Sequence, residues 1–179
     1  MPYLTETWSA DDGAQLTRVT RGVPGGPADP YDGKLIRRDT AGFGPTVAEI
    51  RAYPTDPAAL ADKLGRDVVQ GATMLLLSPA PTAELRAALY NVLLQAPGAT
   101  LIPSLTAPGG RSGVAVRFAT PTPPHELTLL FDADTHALLG VGQGDTWDVV
   151  LRVERVPTAP RPDLEEHMKD GRPEFIPVR

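Results

Sequence analysis

The stretch that decides the fold runs from Leu85 to Gly140: LRAALYNVLLQAPG (85–98), ATLIPSL (99–105), PGGR (108–111), SGVAVRF (112–118) and ELTLLFDADTHALLG (126–140). Its first part predicts a helix over Thr82–Ala96. At ~100° per residue, Leu85, Leu89, Val92 and Ala96 share one face, and Leu93, Tyr90 and Leu94 carry the apolar arc round to the far side. Only Glu84, Asn91 and Gln95 fall together in a polar wedge, while Arg86 stands alone inside the arc with a stem long enough to snorkel. A helix apolar on so much of its circumference needs cover on more than one side. The segments behind it read as antiparallel strands. Ala99–Leu105 pairs with Ser112–Ala119 across the PGGR turn, and Leu127, Leu129 and Phe131 alternate with Glu126, Thr128 and Asp132. The turn Asp132-Ala-Asp-Thr135 follows, then a return over His136–Gly142. Trp147, Val149, Leu151 and Val153 alternate with Asp148, Arg152 and Glu154.

Working outward, Tyr3–Ala10 and Gln15–Arg21 read as a hairpin around Asp11-Asp12-Gly13, near a sheet edge. A first helix starts at Thr55 or Asp56 with Pro57 in its first position, and Gly65 ends it. A second runs from Arg66 to about Leu77 and buries Val68, Val69, Ala72, Leu75 and Leu76. Strands, then helices, then strands predict an α+β domain with a mainly antiparallel sheet, and the apolar arc of the Thr82–Ala96 helix predicts that this sheet is curved, with the helix on its concave face. The expected organisation is one domain over 1–156 and a Pro-rich tail over 157–179 that holds one helical turn near Asp163–Met168. Residues 22–45 read as an irregular loop, because proline lacks the ladder donor and glycine loses the most entropy on ordering.

Composition narrows the function. Seventeen basic against 22 acidic residues leave a net charge of −5, with no basic block to neutralise phosphates, so nucleic acid and anionic membrane surfaces are not expected partners. The absence of cysteine excludes disulfides, thiolate metal sites and cysteine nucleophiles. No apolar run approaches the ~18 residues needed to span a bilayer. MPYLTETW has neither the charged region nor the apolar core of a signal peptide. The chain is therefore expected to be cytoplasmic or an ectodomain cut from a longer protein.

Chemistry-bearing patterns have plain structural explanations. His125, His136 and His167 lack ligand spacing. Asp132-x-Asp134 suits a hairpin turn better than a cation. Ser112 sits in a turn, outside any nucleophile elbow. Gly140, Gly142 and Gly144 imitate a phosphate loop but precede a strand, where glycine marks a bulge or close packing. Glu49, Glu165 and Glu166 are scattered carboxylates. No cofactor or metal is expected, and no catalytic residue is assigned.

LRAALY, APG, GRSGVAV and FDADTHALLG, with YPTDPAAL upstream, resemble a group of actinobacterial membrane-anchored proteins. In that group LRAALYxxLxxLPG is followed by GRxGVAV and DPxTGxLLG, after an upstream PTDPxAL. The resemblance covers Tyr53 to Gly142. Here Ala133 stands where the group has proline and His136 where it has glycine, which puts the turn type in question. Members carry a transmembrane helix upstream, so the resemblance implies an extracytoplasmic or cell-envelope location, with membrane contact only through a segment outside this chain. The layout is similar to the LolA-like superfamily of extracytoplasmic lipoprotein and lipid carriers and sensors, which implies an open half-barrel with helices on its concave face. That similarity implies a non-enzymatic domain that binds or senses an apolar ligand, a lipid or a lipoprotein acyl chain. Candidate lining residues are Tyr90, Leu93, Leu94, Trp8 and Trp147. The competing expectation is a protein–protein interaction or scaffold domain with a packed core and no ligand, its partner at the cell envelope, and an enzyme is the least expected reading.

Overall fold

The computed structural model describes residues 3–9, 15–21, 33–38, 45–119, 126–150, 160–169 and 172–178. The fold is α+β with two mainly antiparallel sheets, neither closed into a barrel. The chain divides into two compact units, Met1–Glu49 with Arg155–Arg179, and Ile50–Glu154.

The first unit is a five-stranded sheet in the order β1 (Tyr3–Ser9), β2 (Gln15–Arg21), β3 (Leu35–Arg38), β9 (Leu164–Lys169), β10 (Arg172–Pro177). Only β3 and β9 run parallel. The expected first hairpin is present as β1 and β2, with β1 at the edge; its turn lies outside the described residues. Two expectations are corrected here. Leu35–Arg38, inside the stretch read as irregular loop, is the central strand, and Leu35 and Ile36 are buried. The segment read as a helical turn near Asp163–Met168 is β9, and the residues read as a tail supply β9 and β10. Four apolar or basic residues, LIRR, between glycine-rich flanks carry too short a pattern for periodicity to register. Asp163 makes the junction: its Oδ2 accepts from Leu35 N at 2.8 Å, its N donates to Leu35 O at 2.8 Å, and its own carbonyl accepts from Val178 N at 3.0 Å. One residue thus ties β3 to both ends of the C-terminal hairpin.

Where the chain leaves this unit stands a short helix, α1 (Val47–Arg51), with a reciprocal capping box. Thr46 N donates to Glu49 Oε2 at 2.7 Å and Glu49 N donates to Thr46 Oγ1 at 3.2 Å. The T-x-x-E signal at 46–49 announces it.

The second unit follows its sequence closely. α2 (Pro57–Leu64) is capped by Asp56, whose Oδ1 accepts from Ala59 N at 2.9 Å, and it ends at Gly65 with φ +72°. A 3₁₀ turn, Gly65–Asp67, leads into α3 (Val68–Leu77). α4 (Ala83–Gln95) is capped by Thr82, whose Oγ1 accepts from Leu85 N at 3.2 Å. Five strands follow as a continuous antiparallel meander: β4 (Ala99–Thr106), β5 (Ser112–Ala119), β6 (Glu126–Phe131), β7 (Leu138–Gln143), β8 (Thr146–Val149). α4 packs against α2, α3 and β4. Its wide apolar arc is accounted for: Leu85, Leu89 and Leu93 are 0–1% exposed, and Ala88 and Val92 are buried. Leu60 of α2 and Ala72, Leu75 and Leu76 of α3 are buried as well. Among the described residues no helix is long and apolar enough to cross a membrane.

Candidate functional site: the helix-free face of the second sheet

Strand alternation sorts the second sheet into two faces. Val114, Val116 and Phe118 of β5, Leu127, Leu129 and Phe131 of β6, and Val141 of β7 share one face through their register. That face carries α4: the Tyr90 ring stands edge-on to Phe131 at 5.1 Å. The other face holds Ala115 and Arg117, Thr128 and Leu130, Gly140 and Gly142, and Trp147 and Val149. Ala115, Leu130 and Ala107 are fully buried there, with half-buried Ile102, Leu105, Leu139, Trp147 and Val149 packed against them. Thr128–Phe131 are four consecutive buried residues, so β6 is covered on both sides.

Two glycines shape the helix-free face. A Cβ on Gly142 would stand 2.6 Å from Cε2 of Trp147, and one on Gly140 would stand 3.6 Å from Cε3. The indole therefore lies flat on the glycine backbone of the neighbouring strand. Close packing, not phosphate binding, explains this G-x-G. Gly113 has a separate reason: a Cβ there would collide with the carbonyl oxygen of Phe131.

Two polar groups interrupt this apolar face. Thr128 is 6% exposed and is the one buried polar side chain among the described residues. Arg117 sits directly opposite it on β5. Its Nε is shut off from solvent without a hydrogen-bond acceptor, and the carboxylate beside it, Glu126 Oε2, is 3.8 Å away.

The expected ligand residues of the second unit fall on both faces of its sheet. Leu93 is fully buried, and Tyr90 and Leu94 are half-buried on α4. Trp147 lies across the sheet from α4. Trp8 belongs to β1 of the first unit, and its side chain lies outside the described residues. Arg117, Thr128 and Ile102 were not singled out from the sequence. The available signal was parity: Thr128 and Leu130 share a face that Leu127 and Leu129 do not.

On the helix side the Asp132–Thr135 turn is self-contained. Asp132 Oδ1 accepts from Thr135 Oγ1 at 2.7 Å, Thr135 N at 2.8 Å and Asp134 N at 3.2 Å. These bonds, from the Thr135 hydroxyl first, hold its carboxyl below the usual carboxylate range. His136 takes φ +53°, the left-handed region that glycine ordinarily fills, and its ring lies against Tyr90 at 4.6 Å. Burial pushes the Tyr90 hydroxyl up. Arg86 does not simply snorkel: it donates to the carbonyls of Pro81 at 3.0 Å and Thr135 at 3.4 Å, tying α4 to the turn.

Ser112 shares a 2.8 Å bond with Thr106 across its hairpin. Among the described residues no three His, Asp or Glu side chains gather as a metal site. His125 lies outside those residues. No family model, curated protein or solved structure matches the chain.

Proposed function

We propose that this chain is a non-enzymatic domain that binds an apolar ligand on the helix-free face of its second sheet, around Trp147. One observation carries the reading. Ile102, Leu105, Leu139, Trp147 and Val149 remain only half-buried over a fully buried floor of Ala115 and Leu130. α4, the other source of apolar surface, is already packed. Binding sites are apolar walls with a few placed polar groups. The polar groups here, Thr128 and Arg117, are suited to hold and orient a ligand, not to exchange protons with it. The resemblance of residues 53–142 supports a place at the cell envelope, and the ligand class proposed there is a lipid or a lipoprotein acyl chain.

The test is an uncharged environment-sensitive dye, Nile red, titrated into the folded chain, with native mass spectrometry for retained lipid. The reading expects saturable brightening, lost in Val149→Arg and kept in Leu94→Arg, with both variants folded by far-UV circular dichroism. Loss in Leu94→Arg alone moves the site to α4. No brightening and no retained lipid removes the reading.

A second reading has its own support. Met74 and Leu77 stand three residues apart on α3 and are 55% and 54% exposed. They favour a protein-interaction surface on a packed scaffold. Met74→Lys with Leu77→Lys would then abolish partner binding and leave dye binding unchanged.

A further inference from the structure

We infer that Arg117 anchors the head of an amphipathic ligand, a molecule with an apolar body and one oxyanion. The inference rests on reading the helix-free face as the ligand site and names the ligand class for that site.

The register lays a row across four strands. Arg117 opposes Thr128, Thr128 opposes Gly142, and Gly142 opposes Trp147. Three strand spacings separate the ends of the row, about 14 Å at the usual ~4.8 Å per step. The row is graded. Its β8 end is the indole, with Val149 on the same face and Leu130 beneath. Its middle is the backbone of Gly142 and the buried hydroxyl-bearing Thr128. Its β5 end is a guanidinium.

That guanidinium is incompletely used. Its Nε–H has neither solvent nor an acceptor. Glu126 Oε2 at 3.8 Å lies beyond hydrogen-bond distance, and the two side chains are 41% and 52% exposed, so the pair is a loose surface contact. Because that atom is closed to solvent, no ligand reaches it; the two Nη groups at the end of the guanidinium present a fork of their own, which matches two oxygens of a carboxylate, sulfonate or phosphate. A ligand lying along the row would put its oxyanion on that fork and its apolar body over Gly142 toward Trp147 and Val149. A wholly apolar ligand gives the guanidinium no counter-charge beyond the loose contact with Glu126.

The probe is 1-anilinonaphthalene-8-sulfonate, an apolar fluorophore with one sulfonate, compared with uncharged Nile red on the full chain. Arg117→Met is expected to weaken the sulfonate dye about tenfold, the scale of one charge-assisted bond, and to leave Nile red affinity within about twofold. Arg117→Lys, which keeps the charge but not the fork, recovers only part of the loss. It carries the test if the Met variant does not fold. Dodecanoate is expected to displace the sulfonate dye better than dodecanol from the wild-type chain and no better from Arg117→Met. Stronger competition by dodecanoate than by dodecyl phosphate assigns a carboxylate head, and the reverse assigns a phosphate; either result supports the anchor. Equal binding of the sulfonate dye to wild type and Arg117→Met overturns the anchor while Nile red binding keeps the ligand reading. Failure of both dyes on the wild-type chain overturns both.

Discussion

The two units are assembled in opposite ways. In the second, every strand pairs with its neighbour in sequence, from β4 to β8, and α2, α3 and α4 precede them, α2 and α4 with side-chain caps. In the first, the sheet joins the two ends of the chain, and the bond between Leu35 and Asp163 spans 128 residues. Loop-closure entropy rises with the length of chain enclosed, so such a pairing forms only when much else is in place. The contrast teaches where each unit is vulnerable. The second unit is held by a packed helix in its core, the first by a short strand and one aspartate.

The largest expected effect is in the second unit. Leu89 has no exposed surface, and Leu89→Ala leaves a cavity that should cost about 2–5 kcal/mol. Urea denaturation followed by hydrogen exchange should show protection lost across α4 and β4–β7. Retained protection there would mean that α4 does not hold the unit together.

Asp163→Ala strikes the first unit. It removes the side-chain acceptor of Leu35 N, a group in a strand whose Leu35 is buried, at a cost of about 1–3 kcal/mol. Exchange should quicken at residues 35–38 and 164–169 and stay unchanged at 126–143. Equal loss in both regions would dissolve the distinction between the units.

Gly142→Ala sharpens the comparison within the second unit. The new Cβ would stand 2.6 Å from the indole of Trp147. Displacing the ring should cost about 1–3 kcal/mol as overpacking and shift the tryptophan emission. An unchanged spectrum and stability would show that the indole does not lie on this strand.

The smallest effect is a pH dependence. The folded state favours the Asp132 carboxylate, so its contribution is complete above the unfolded value and fades as pH falls through the lower folded one. Asp132→Asn should lower stability slightly at neutral pH, where the carboxylate's contribution is complete, and converge with the wild type at acid pH, which flattens the acid limb of the profile. An acid limb identical to the wild type would mean that the turn contributes nothing.

Much of the second unit was legible because its information is local. Thr82 and Asp56 announce helix starts, Gly65 and Pro97-Gly98 announce stops, and the hairpin turns sit between alternating segments. The excess of apolar residues on α4 correctly demanded cover on several sides. Gly140 and Gly142 read as close-packing glycines, and the indole on them bears this out. The reading failed where pairing is distant. LIRR is too short to show a period, and the proline-rich C-terminal segment has strands only because β3 offers an edge to β9.

The candidate site divides along the same line. Trp147 was visible as an aromatic worth explaining, and it was grouped with Tyr90, Leu93 and Leu94 because hydrophobicity carries no sign for the side of a sheet. Alternation within ELTLLF separates Thr128 and Leu130 from Leu129 and Phe131, yet it does not say which set meets a helix. The sequence by itself determined α2, α3 and α4, the caps of α2 and α4, the meander and the α+β class, since each follows from bonds within a few residues. The tertiary structure alone decided that the chain ends share a sheet. It also decided that α4 lies against Phe131 and not Leu130, and that Arg117 lines up with Trp147, because these depend on register between segments far apart in the chain.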